Sequence, residues 1–249
     1  MTKFAAFGTA FNMGVRQVES TPIVGTITGD GDASVTITFT GMTGSGVPTA
    51  VAVVTGDTPS VVADKAVAVL NADGDFAAKA FAYSDGIYLR MIALAPAAND
   101  AAMNIAYDND SCTGLTGDAT SDNLVAGVAL TAIAQVSNIG GPGLSADTED
   151  VTTHDSTGAW EEHVVTVLRS GEVSLDLVYD PSDGSHDATS GLLAMLEDKA
   201  NYLGFSLVFP GPYTWSFNGY STGFEPGAPH DGALTATATI KITGAPTLV

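Results

Sequence analysis

Glu172-Val173-Ser174-Leu175-Asp176-Leu177-Val178-Tyr179 alternates in character, with Glu172, Ser174 and Asp176 on one side and Val173, Leu175 and Leu177 on the other. Successive side chains of an extended strand point to opposite faces, so this run reads as a half-buried β-strand with an acidic outer row. Working outward, Ile133 to Ile139, Glu162 to Arg169, Leu203 to Phe209, Tyr213 to Tyr220 and Leu234 to Ile242 also read as strands. One helix interrupts them. Leu192, Leu193, Met195, Leu196 and Leu203 make its apolar stripe, and Asp187 is placed to cap it. From about residue 129 onward the chain is therefore mainly β, with one helix covering a side of a sheet or barrel.

The stretch before it has a different texture, rich in Ala, Asp, Gly and Val, while both tryptophans and all four histidines come later. Boundaries are expected near Ser20-Thr21-Pro22 and Ala126-Gly127-Val128, making 21–128 a unit of its own between 1–20 and 129–249. Ile23 to Thr28 and Ser34 to Thr40 flank Gly29-Asp30-Gly31-Asp32 and read as a hairpin, with Val35, Ile37 and Phe39 on one face. Val47 to Thr55 reads as a strand. A helix follows, with Thr58 as cap, Pro59 at its first position, and Val62, Ala66, Val69 and Leu70 at helical spacing before Asn71 to Gly74 ends it. Phe76 to Tyr83 and Ile87 to Leu94 form a second hairpin around Ser84-Asp85-Gly86. The unit reads as a small α+β domain.

Of 249 residues, 28 are acidic and 8 are Lys or Arg, a formal net charge of −20. Phosphate neutralisation needs clustered cations, so a surface built to grip nucleic acid is excluded. At 45% hydrophobic and 14% charged, the chain can bury a core, which excludes charge-driven disorder. Cys112 is the single cysteine, so neither an internal disulfide nor a Cys-based zinc site is available. The start, Met1 to Gly8, has one positive charge and no sustained apolar run, and Leu124 to Val136 is interrupted by Gly127, Thr131 and Gln135. A soluble protein made in a cytoplasm is expected, with no signal peptide and no membrane partner.

Catalytic and ligand-binding patterns fail one by one. His154-Asp155-Ser156 holds the residue types of a hydrolase triad, but consecutive side chains diverge and cannot chain Ser to His to Asp. Acidic clusters that invite calcium stand at Asp30 and Asp32, at Asn71, Asp73 and Asp75, and at Asp108 and Asp110. Counted from Asn71, an EF-hand would need Gly at Phe76 and Glu at Ala82. Turn formation by Asp and Asn is the better account. Gly41, Gly44 and Gly46 lack a following Lys-Ser/Thr, and His186 and His230 read as loop residues. Tyr213, Trp215 and Phe217 share a strand face with Tyr220 and Phe224 nearby, where core or interface packing outweighs a stacking platform. No catalytic residue, cofactor or metal is expected. The remaining feature is the long stretch from Gly140 to Glu161, which has little periodicity; loops that long in compact domains generally have a job.

Four runs carry a family resemblance. Ala146-Asp147-Thr148-Glu149-Asp150-Val151-Thr152-Thr153-His154-Asp155-Ser156 is followed by Ser170-Gly171-Glu172-Val173-Ser174-Leu175-Asp176-Leu177-Val178-Tyr179-Asp180-Pro181. Then come Trp215-Ser216-Phe217-Asn218-Gly219-Tyr220-Ser221-Thr222-Gly223-Phe224-Glu225-Pro226 and Ile242-Thr243-Gly244-Ala245-Pro246-Thr247. In this order they resemble the tail tube, or major tail, proteins of lambda-type, long flexible-tailed bacteriophages (siphophages). The resemblance covers about Leu130 to Leu248 and the first twenty residues. It implies a β-sandwich or partial β-barrel with one flanking α-helix, and hexameric rings stacking into a tube.

By the same resemblance, the tube would hold a tape measure protein, contact tail terminator and baseplate or tip proteins, and pass DNA without specific binding. The location implied is the virion tail, assembled in the host cytoplasm. Asp147, Thr148, Asp150, Thr152, His154, Asp155 and Trp160 would reach a neighbouring subunit or ring. Glu172, Asp176 and Asp180 are the expected lumen-facing acids, repelling phosphate over the roughly 8 Å that salt allows. The family pattern runs almost directly from a short first strand to the strand before the loop, whereas here about a hundred residues intervene between Glu19 and Leu130. That α+β insert resembles accessory modules of phage tail proteins and is expected on the tube exterior; no immunoglobulin-like appendage is expected. The rival reading is a virion decoration or adhesin-like protein holding glycans. A jelly-roll glycosidase would need paired carboxylates in a cleft, which Glu161 and Glu162, on opposite sides of a strand, do not supply.

Overall fold

The computed structural model describes residues 8–188, 191–197, 203–211 and 213–249. Residues 1–7, and the stretch 198–202 over which the sequence continued a helix, lie outside the described residues.

Strands β1 (Ala10–Val15), β2 (Val18–Pro22), β3 (Val24–Gly29), β4 (Gly31–Thr38) and β5 (Pro48–Val53) precede helices α1 (Pro59–Ala72) and α2 (Gly74–Ala77). Next come β6 (Ala80–Asp85), β7 (Tyr88–Ala93), β8 (Asn104–Asp108), β9 (Thr113–Thr116), β10 (Asp122–Val125) and β11 (Val128–Ala132). The chain continues with β12 (Val136–Gly140), β13 (Ser145–Asp150), a single 3-10 turn at Thr157–Ala159, β14 (His163–Arg169) and β15 (Glu172–Val178). It closes with α3 (Leu192–Glu197), β16 (Leu203–Val208), β17 (Thr214–Gly227) and β18 (Thr235–Leu248). Two compact units result, Met1–Met13 with Thr131–Val249, and Gly14–Leu130.

The discontinuous unit is built on a curled half-barrel sheet in the order β11-β1-β16-β17-β18-β15-β12. Its centre is set by alternation. Val173, Leu175 and Leu177 of β15 and Ala236, Ala238, Ile240 and Ile242 of β18 are all buried, while Glu172 and Ser174 stay exposed. On β16 and β1 the rings of Phe205 and Phe11 lie 5.6 Å apart, and Phe217 of β17 closes a three-ring cluster at 5.9 Å from Phe205. Register shifts at Ser216/Asn218 and Ser221/Gly223 bend β17, the local device by which a long strand follows a curled sheet. Helix α3 packs on β17 and buries Leu192 and Met195. Asp187 accepts the Gly191 N–H at 2.9 Å just ahead of it, but Leu203 begins β16 and is not part of the helical stripe.

One further reading is corrected here. Ile133 to Ile139 is not one strand: β11 and β12 are separate, and Gln135 between them has φ 54. His186 lies in a turn, as its sequence context indicates, and is fully buried there. Its Nδ1 accepts the Asp180 N–H at 3.3 Å and its Nε2 faces Ala134 O at 2.9 Å. Only the neutral tautomer protonated at Nε2 satisfies both.

The Gly14–Leu130 unit holds a four-stranded sheet β10-β2-β7-β6, a three-stranded sheet β5-β4-β8 and a β3-β9 pair. Helix α1 buries Val62, Ala63, Ala66 and Leu70 and packs on β5 and β6. Thr58 precedes it but makes no side-chain cap, whereas Pro59 takes the first turn as expected. β3 and β4 do not pair as a hairpin: β3 pairs with β9, and β4 lies between β5 and β8. Phe76 belongs to α2, so the strand read from Phe76 starts at Ala80. The buried Tyr107 hydroxyl donates to Pro22 O and accepts from Val24 N–H, both at 2.9 Å, tying the β2–β3 junction to β8. Buried Glu19 accepts from Gln17 at 2.9 Å and Ser121 at 2.7 Å, so both of its carboxyl oxygens are hydrogen-bonded. Among the described residues no helix is long and apolar enough to cross a membrane.

Leu89 is 0% exposed in the core of this unit. Leu89→Ala is expected to lower unfolding free energy by about 2–5 kcal/mol, the cost of the lost transfer energy and the cavity, read as a shifted midpoint in urea denaturation.

Candidate functional site

The stretch from Gly140 to Glu161 is not structureless. β13 pairs antiparallel with β14, from Ser145↔Arg169 to Asp150↔His163, with a register shift between Ala146 and Thr148. Among the described residues, neither strand joins another sheet. The hairpin leaves the β12–β15 pair where Gly171, at φ +69, crosses Gly143 so closely that a Cβ would stand 2.2 Å from Gly143 O. Only glycine fits that crossing.

The two strands differ in chemistry. β13 carries Asp147, Glu149 and Asp150, while β14 reads His163-Val164-Val165-Thr166-Val167-Leu168-Arg169 with no acid. Every β14 residue is exposed, Val165 at 58% and Leu168 at 81%. An apolar strand bare on both faces is a surface that association would cover, and an isolated two-stranded hairpin is marginally stable.

Asp147 is held by Arg169, whose Nε lies 3.0 and 2.9 Å from its two carboxylate oxygens and whose Nη2 also contacts it. The guanidinium keeps the Asp147 carboxyl below its ordinary range and lifts Arg169 above its own. Thr148 lies opposite Val165. Asp150 accepts the Thr152 N–H at 2.9 Å, and hydrogen bonds from Thr152 lower its pKa. Thr152 Oγ1 accepts the Glu162 N–H at 2.9 Å, closing the base of the tip. Within the tip, Asp155 N–H donates to Thr153 Oγ1 at 3.3 Å, and His154 is exposed. Trp160 is 78% exposed beside the 3-10 turn. Glu161 and Glu162 precede β14 and do not sit on opposite sides of a strand.

The three acids read as lumen candidates are not equivalent. Glu172 and Asp176 share the outer face of β15: Glu172 meets Lys241 Nζ at 3.0 Å, and Asp176 accepts from Asn138 and Thr237 at 3.0 Å each. Asp180 lies beyond the strand, where Ser182 donates to it at 2.7 Å and lowers its pKa. The bridges from Glu172 and Asp176 to β12 and β18 are not legible in the sequence, because cross-strand partners are set by pairing.

Other acids serve local structure. Asp30 accepts from Thr55 Oγ1 at 2.7 Å, and Asp73 accepts the Asp75 and Phe76 N–H groups at 2.9 and 3.0 Å as the α2 cap. Among the described residues, no group of three or more His, Cys, Asp or Glu is placed to hold a metal ion. The aromatic run is divided: Phe217 is core, Trp215 is half-buried, Tyr213 and Tyr220 are exposed, and Phe224 meets Tyr179 edge-on at 5.3 Å.

The model of the lambda phage tail tube protein family matches residues 114–249. No curated protein matches the chain. Solved structures of similar fold include a chain in the virion of a native gene transfer agent particle, at 19% identity and TM-score 0.39, over 48% of this chain and 88% of that one. Another is in the tail of an empty gene transfer agent particle refined with C6 symmetry, at 19% and 0.39, over 48% and 86%. A third is in the six-fold symmetrised baseplate of the anti-feeding prophage, at 10% and 0.38, over 50% and 85%.

Arg169→Ala is expected to return the Asp147 carboxyl to the ordinary range, read by NMR titration. Because the folded value is depressed, the pair supports the hairpin above the unfolded carboxylate pKa and is lost as pH falls through the lowered value.

Proposed function

The chain belongs to the lambda phage tail tube protein family, a family of structural tail proteins, and on that premise we propose that its copies form hexameric rings that stack into a DNA conduit. The observation that carries this reading is the β13–β14 hairpin, fully exposed along β14 and unpaired with any other strand. Covering Val164, Val165, Val167 and Leu168 stabilises an assembly by up to about 1.5–3 kcal/mol for each side chain fully buried. A contact between a hairpin on one copy and a different surface on the next is heterologous. Such contacts close rings or run on as open filaments, the two geometries a stacked tube combines. Free strand edges, a hazard in a lone subunit, would be consumed by neighbours.

Within the tube, Asp147, Thr148, Asp150, Thr152, His154, Asp155 and Trp160 would serve the contact between subunits or rings. Glu172 and Asp176 would line the channel. Their repulsion of phosphate fades over about 8 Å at physiological salt, so the conduit would need acids on its wall. In this reading the Gly14–Leu130 unit lies on the tube exterior, and tape measure, terminator and baseplate proteins complete the tail of the virion.

Negative-stain microscopy of concentrated protein is expected to show rings or tubes; discrete monomers would overturn the proposal. In the Val165→Asp/Leu168→Asp variant, rings and tubes should be lost while far-UV circular dichroism is unchanged, because both positions are solvent-exposed in the single subunit. Replacing Glu172 and Asp176 with Lys should slow DNA ejection, and unchanged ejection kinetics would remove them from the channel wall.

A further inference from the structure

The Met1–Met13/Thr131–Val249 unit has a second surface that its own fold leaves open. A groove of about 920 Å³ runs along the free edge of β12 and past the ends of β16, β17 and β18, with Val136, Ile139, Leu207, Phe209, Trp215 and Leu248 among its walls. We propose that this groove receives the distal part of the β13–β14 hairpin from a second copy of the chain. The inference rests on the tube reading and adds the receiving surface.

Charge selects the pair. Two copies at −20 repel each other, so the insertion of an acid-free strand into an acid-free slot is favoured over a meeting of acidic surfaces. Among the described residues, no Asp, Glu, Lys or Arg lines the groove. β14 likewise has no acid and ends in His163 and Arg169, while the acids of its hairpin sit on β13 and, as Asp155, Glu161 and Glu162, in the tip. Its apolar side chains therefore enter a neutral, apolar slot.

Backbone geometry agrees. Among the described residues, β12 stands at the end of its sheet and bonds only β15, while β14 bonds only β13. Each keeps one row of unused N–H and C=O groups, which an added strand satisfies, as in peptide recognition at sheet edges. The occupant comes from another copy because of reach. The hairpin departs beside Gly141, itself a groove residue, and its strands carry the tip away by about 20 Å at ~3.3 Å per residue. The distal residues Val164 and Val165 thus lie several residues' length from the groove beside their own root. Donor and acceptor surfaces differ, so each copy gives one hairpin and takes one, and the contact propagates.

The test uses full-length chains carrying one added cysteine each. Val165→Cys and Ser137→Cys proteins are mixed as monomers, assembled and oxidised; both positions are exposed, and Cys112 is buried and does not compete. The expected result is a dimer-mass species that reductant removes, seen in the mixture and absent from either protein alone. Tubes without that species, with Asn138→Cys and Thr9→Cys also negative, would overturn the groove assignment and leave the tube reading standing. A bond formed within one chain between Phe4→Cys and Ser137→Cys would overturn it too, by showing the groove filled by the chain's own first residues. Monomers that never assemble would overturn both.

Discussion

The antiparallel ladder between β15 and β18 is the contact on which the rest of the Met1–Met13/Thr131–Val249 unit depends. It runs without a break from Glu172↔Lys241 to Val178↔Thr235. Since strand side chains alternate, one register decides two faces at once: Val173, Leu175 and Leu177 go to the core, and Glu172 and Asp176 go outward. A slip of one residue would bury two carboxylates and expose three apolar side chains. The same ladder anchors the hairpin, which begins directly before β15 at Ser170-Gly171. Core, acidic row and projecting arm are consequences of one pairing.

Acidity then shapes how copies can meet. Among the described residues, β14 and the lining of the β12 groove carry no acid, and both are largely apolar. Many of the acids are occupied locally, as Asp73 capping α2, Asp147 on Arg169 and Asp180 on Ser182. Net charge accordingly describes solubility and repulsion between copies better than it describes any ligand site.

Legibility varied with the range of the interaction. Helix α1, the β6–β7 hairpin, and strands β15, β16 and β18 were readable because period and turn residues act over a few positions. The β3–β4 hairpin was misread because Gly29-Asp30-Gly31-Asp32 is good turn chemistry, yet β4 instead fills the space between β5 and β8. Phe76 was read as strand because an aromatic before Ala-rich sequence suits either state, and the Asp73 cap tipped it to helix. β13 was invisible: Ser-Ala-Asp-Thr-Glu-Asp has no apolar face to bury, and only its partner β14 makes it a strand. His186 was hidden for a related reason, since its partners at Ala134 and Asp180 are chosen by tertiary contact.

By itself the sequence determined the mainly β character of the later region, the α+β character of the insert, the excess of acid and the family runs between Ala146 and Thr247. Those follow from composition, local period and motif order, which need no partner strand. Tertiary structure alone decided which strands pair, that the long loop is a bare hairpin with one apolar strand, and that β12 borders an uncharged groove. Strand pairing joins residues distant in the chain, and exposure is a property of what fails to cover a side chain; neither is written in any local stretch of residues.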